Sequence, residues 1–105
     1  MDQPKLPEQC ASLAEVRHEI DRIDRSIVAA LGERRGYVMA ALKFKSSPGA
    51  IAAPERVAAM LEARRKWAVE ERIDPNVIEA IYRALVDYFI AEETAHWNRS
   101  SQPLS

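Results

Sequence analysis

The sequence is short of the residues that punctuate a chain or hold a cofactor. It contains three glycines and one cysteine in 105 residues. A lone Cys10 closes no internal disulfide, which fits a reducing compartment. Cys10, His18 and His96 are its only soft ligands and fall at no recognisable spacing, so no structural zinc is expected. No run approaches the ~18 consecutive apolar residues of a transmembrane helix. The opening MDQPKLPEQC has no apolar segment of the kind a secretory signal needs, and a cytoplasmic protein is expected. A charge excess is missing as well. The 15 basic and 16 acidic residues leave a net charge of −1, which disfavours nucleic acid as a partner.

What the chain does have is 48% hydrophobic and 30% charged residues, the make-up of one small globular domain over residues 1–105. Proline removes a backbone donor and crowds the preceding turn, so it marks boundaries. Pro4, Pro7, Pro48, Pro54, Pro75 and Pro103 all lie outside the periodic runs, which occupy roughly 12–46, 54–72 and 75–99. None of the three shows strand-like alternation, and there is no repeat or low-complexity tract. Residues 1–10 and 100–105 read as frayed ends around a helical core of about 11–99.

Ser12 and Glu15 form a capping box at the start of the first run. Leu13, Val16, Ile20, Ile23, Ile27, Leu31, Val38 and Leu42 then recur at helical spacings. Val57, Met60, Leu61 and Trp67 stripe the second run, and Ile78, Ile81, Leu85, Phe89 and Trp97 the third. Pro54 and Pro75 suit first helical turns, and Asp74 suits an N-cap. The pattern predicts an all-α protein of three helices. Gly32 and Gly36 weaken the first helix by about 1 kcal/mol each; the stripe continues through them in phase, which favours one helix, and a break there into two shorter helices of a monomeric bundle is the alternative. A single helix of roughly 35 residues would span about 52 Å, beyond the ~34 Å diameter of a compact monomer this size. A second copy covering the projecting stripe is expected, as a two-fold homodimer.

Several charges fall on the apolar faces. Arg17 lies between Leu13 and Ile20, Arg34 between Leu31 and Val38, Lys45 after Ala41 and Leu42, and Glu93 between Phe89 and Trp97. Any one of them can snorkel from the edge of its stripe. Four together point to a buried anion site, because an unpaired buried charge is expensive. On a continuous helix, Arg34 and Lys45 would be about 16 Å apart and nearly in phase. Arg17 is roughly 26 Å from Arg34 and reaches the same small ligand only from an antiparallel partner. A site shared between subunits, fit for two carboxylates, follows.

These pieces together resemble the helical chorismate mutase superfamily, and most of all its isochorismate-pyruvate lyase branch. The resemblance runs over residues 8–98 and rests on LAEVRHEIDRIDRSIVAALGERRGYV, on Phe44-Lys45, on APERVAAML and on YFIAEETAHW. It implies an intertwined three-helix homodimer. It also implies that Arg17 is donated across the interface, that Arg34 holds a substrate carboxylate, and that Lys45 approaches the enolpyruvyl ether oxygen. Arg56 and Tyr37 are implied as further substrate-binding residues. No cofactor is implied, and the partner is a small dicarboxylate, isochorismate or chorismate.

Two positions depart from the family pattern. Glu93 stands where the lyase branch has glutamine, and a carboxylate donates to an ether oxygen only when protonated. Ala53 and Val57 stand where mutases of this fold often carry acidic residues that read a ring hydroxyl. The resemblance therefore implies conversion of isochorismate to salicylate and pyruvate. Chorismate mutase activity is the alternative, and a non-catalytic helical dimer with interfacial ion pairs is a third reading.

Overall fold

The computed structural model describes residues 3–101. Four α-helices follow one another: α1 (Leu13–Ala41), α2 (Pro48–Ala52), α3 (Pro54–Glu70) and α4 (Pro75–Ser101). Single 3₁₀ turns occupy Pro7–Gln9 and Leu42–Phe44, and no strand occurs among the described residues. The three long helices are those the periodicity predicts, and α1 passes through Gly32 and Gly36 unbroken. Beyond the chain neighbours and the backbone of the surrounding helical turns, no atom of the described residues lies within 4 Å of a Cβ built on either glycine. The chain divides into two compact units, Met1–Tyr37 and Val38–Ser105.

In the first unit, α1 is capped as its sequence predicts, with one difference. The Glu15 amide donates to Ser12 Oγ at 3.1 Å, but Glu15 Oε2 accepts from the Ala11 amide at 2.7 Å. Glu15 Oε1 accepts from Lys5 Nζ at 2.6 Å. These contacts join Lys5 and Ala11, in a stretch that the sequence reads as a frayed end, to the first turn of α1. Gln9 Oε1 also takes the Leu6 amide at 2.8 Å and closes the 3₁₀ turn. Residues 1–2 and 102–105, also expected to fray, lie outside the described residues.

α1 buries none of its own residues. Leu31 and Val38 of the predicted stripe are half-buried and Leu42 is buried, but Leu13, Val16, Ile20, Ile23 and Ile27 keep between 37% and 61% of their surface exposed. That is an apolar face without a cover.

The second unit holds the core. Met60 and Leu61 from α3 meet Val86 from α4, with Val57, Tyr82 and Ile90 packed around them. α4 also packs on α2, whose Ile51 is buried. α2 starts because Ser47 is extended before Pro48 and its Oγ accepts from the Ala50 amide at 3.2 Å. α3 ends in a Schellman motif: Ile73 N–H reaches Ala68 O at 2.9 Å and Arg72 N–H reaches Val69 O at 3.1 Å. Asp74 then caps α4 through the Asn76 amide at 2.8 Å, as predicted.

Candidate active site

The first helix is shorter than its periodicity predicts. α1 stops at Ala41, not near residue 46, and a buried Leu42 anchors the 3₁₀ turn that follows. Lys45 is the residue after that turn, with an extended backbone and its amide on Leu42 O at 3.0 Å. It therefore stands off the helix, and the argument that Arg34 and Lys45 share one helix face does not hold.

Leaving the helix takes Lys45 to α4. Its Nζ donates to Glu93 Oε2 at 2.7 Å. The Glu93 side chain is 5% exposed and that of Lys45 23%. Glu93 lies on the apolar face its spacing predicts, one turn beyond the buried Phe89 and one turn before the half-buried Trp97. A buried carboxylate is costly unless paired, and the Lys45 ammonium is the partner that offsets this cost.

The other expected site residues divide between the units. Arg56 is exposed on the first turn of α3 and takes no part in the Lys45–Glu93 pair. Arg17, Arg34 and Tyr37 all belong to α1 in the first unit; Arg17 and Tyr37 are exposed and Arg34 is half-buried. Because α1 is continuous, Arg17 and Arg34 are held about 26 Å apart along its axis. No small ligand touches both from one chain. Ala53, at the start of α3, has a left-handed backbone with φ 39°, and Val57 is packed against the core. Val57 thus has a packing role besides lacking an acceptor.

Sequence reasoning did not single out the flank of Lys45. An open pocket of about 430 Å³ is lined there by Met39, Leu42, Lys43, Lys45, His96 and Trp97 among others. Lys43 is two residues before Lys45 and His96 three beyond Glu93 on α4, but no spacing along the chain joins the two stretches.

Two other features are electrostatic. In the first unit, the Lys5 hydrogen bond, then the Ala11 amide, holds the Glu15 carboxyl below the usual range, and Glu15 raises Lys5 in turn. Glu19 is lowered by its hydrogen bond from Arg22 at 2.9 Å. In the second unit, the Arg64 guanidinium lies 4.7 Å from the centre of the Trp67 ring and 5.2 Å from that of Tyr82. Among the described residues no helix is long and apolar enough to cross a membrane.

Comparison with known proteins gives a consistent set of relatives. A family model described as chorismate mutase type II matches residues 16–94. An isochorismate pyruvate lyase of Pseudomonas aeruginosa is 48% identical over 96 residues, covering 91% of this chain and 95% of that protein. A chorismate mutase of Methanocaldococcus jannaschii is 31% identical, covering 83% of this chain and 95% of its own length. A T-protein of Haemophilus influenzae is 36% identical over 83 residues, which make up 22% of that longer protein.

Proposed function

The chain belongs to the chorismate mutase type II family, and from that premise we propose that it is an isochorismate pyruvate lyase. The observation that carries this reading is its likeness to the Pseudomonas lyase along nearly the whole of both chains. The reaction divides isochorismate into salicylate and pyruvate. The ring–oxygen bond breaks as a ring hydrogen moves to the enolpyruvyl methylene carbon, and no atom or electron is left over. The step needs no nucleophile, and no redox partner takes up electrons.

Catalysis then has two sources. One is selection of the reactive conformer of a flexible dianion. Arg34, with Tyr37 and Arg56 as further contacts, binds the substrate and grips a carboxylate; Arg17 comes from a second copy. The ~26 Å between Arg17 and Arg34 on one helix supports that donation. So does the open apolar stripe of α1, which an antiparallel α1 of a homodimer would cover. The other source is stabilisation of charge developing on the ether oxygen. Lys45 supplies a cation there. Glu93 Oε2 already accepts from Lys45, so Oε1, when protonated, is the atom that would donate a hydrogen bond to the ether oxygen. In this account residues 1–105 form one chorismate mutase-like domain working in the cytoplasm without a cofactor.

Chorismate mutase activity is the second reading, favoured by the Methanocaldococcus relative. Against it, the Ala53 and Val57 side chains accept no hydrogen bond from a ring hydroxyl. Supplying each substrate separately decides the matter. Isochorismate should give salicylate and pyruvate in equal amounts, with kcat/KM well above that for prephenate from chorismate. The reverse order would make the protein a mutase, and no turnover of either would leave a non-catalytic helical dimer.

A further inference from the structure

Lys45 has two flanks of different character. On one, its ammonium is held by Glu93. On the other, it lines the 430 Å³ pocket, to which Glu93 does not contribute. That volume is within the ~300–1,000 Å³ of small-molecule sites. Every titratable side chain lining the pocket is basic: Lys43, Lys45 and His96, with no carboxylate among them. The field inside therefore favours an anion. Trp97 brings an aromatic side chain to the lining, and Met39 and Leu42 add further apolar surface.

We propose that this pocket binds a planar aromatic monocarboxylate, with its ring on Trp97 and its carboxylate between Lys43 and Lys45. Occupancy slows turnover, because the bound carboxylate competes with Glu93 for the Lys45 ammonium. The binding follows from the pocket alone. The effect on turnover rests on the lyase reading, whose aromatic product belongs to this class of acid, so the device is product feedback on Lys45.

Benzoate, which is not a product, is the probe. The sequence has two tryptophans, Trp67 and Trp97, and Trp67 lies outside the pocket lining. In the full-length ¹⁵N-labelled protein, benzoate should shift the Trp97 indole signal saturably and leave that of Trp67 in place. Lys43→Gln should weaken binding about tenfold, the loss of one charge-assisted contact. His96→Ala should weaken it as well. With isochorismate as substrate, benzoate should lower kcat with little change in KM. Lys43→Gln should relieve that inhibition without altering the uninhibited rate.

A Trp97 signal that does not move, or wild-type affinity in Lys43→Gln, overturns the site. So does purely competitive inhibition accompanied by a raised KM in Lys43→Gln, since the pocket would then be part of the substrate's own site. Saturable benzoate binding in a protein that turns over neither substrate would sink the lyase reading and leave the binding site standing.

Discussion

Lys45 and Glu93, 48 residues apart in the chain, meet at 2.7 Å, and the carboxylate of the pair is almost wholly buried. The lysine arrives there only because α1 ends at Ala41 and a 3₁₀ turn carries the chain off the helix axis. One contact thus depends on a helix stop, a buried Leu42 and the apolar face of α4.

Removing Lys45 leaves Glu93 buried without its cation. Breaking a fully buried pair costs about 3–5 kcal/mol. Lys45 retains 23% of its side-chain exposure, so Lys45→Ala should cost less, about 2 kcal/mol. The double variant Lys45→Ala/Glu93→Gln should recover most of this, because no charge is left stranded. Urea midpoints at constant slope measure both values. Equal stability of wild type and Lys45→Ala would mean that the pair contributes nothing.

Arg17 and Lys45 test the shared site. If each site takes Arg17 from one chain and Lys45 from the other, Arg17→Ala and Lys45→Ala homodimers are both impaired. A mixed dimer then contains one site with both residues. Co-refolding the two variants in equal amounts should restore roughly a quarter of the wild-type activity, since random pairing makes half the dimers mixed and each has one intact site. Absence of recovery despite demonstrated subunit exchange would confine the site to one chain.

Arg72 carries the left-handed backbone of the α3 Schellman motif, with φ 61°. A Cβ in that conformation costs roughly 1–2 kcal/mol, and glycine gives back part of the gain through its freer unfolded chain. Arg72→Gly should therefore stabilise by about 0.5–1 kcal/mol, a rise of several degrees in Tm for a chain of this size. Arg72→Ala retains the Cβ and should show no such gain. Equal melting of the two variants would remove the backbone explanation.

The N-terminal arm should respond to acid. Glu15 is lowered in the folded chain, so its contribution is complete above the unfolded carboxyl value and lost as pH falls through the folded one. Lys5 is raised, so its contribution is complete below the unfolded lysine value and lost only as pH rises through the folded one. The arm is thus tied at neutral pH and released from α1 on acidification. Exchange of the Ala11 amide, which donates to Glu15, should accelerate below the usual carboxylate range while amides near Met60 stay protected. Lys5→Ala should move this release to higher pH. An Ala11 exchange profile that Lys5→Ala leaves unchanged would contradict the tie.

The parts of this structure written in local spacing were legible in the sequence. The three long helices follow from apolar residues at three and four, and the Ser12 and Asp74 caps from side chains that reach an amide two or three residues on. Glu93 on a buried face followed from Phe89 and Trp97. Contacts without a period were not legible. The Lys5–Glu15 tie spans ten residues across a turn. The end of α1 at Ala41, where a 3₁₀ turn on the buried Leu42 takes over, has no marker in the spacing of the stripe, which runs on through Leu42. The pocket beside Lys45 joins residues near 40 to residues near 97, a tertiary relation that no spacing along the chain expresses.

The central claim is that Lys45, held beside Glu93, stabilises the departing oxygen as isochorismate yields salicylate. The most direct measurement is the steady-state rate of salicylate fluorescence for wild type and Lys45→Ala, each shown to be folded at the assay temperature. An interaction made chiefly in the transition state lowers kcat and leaves KM nearly alone. Loss of one such group costs about 10²–10³ in kcat, and that is the fall expected for Lys45→Ala at saturating isochorismate. A variant with wild-type kcat and only a raised KM, or a wild-type protein that releases no salicylate, would contradict the account.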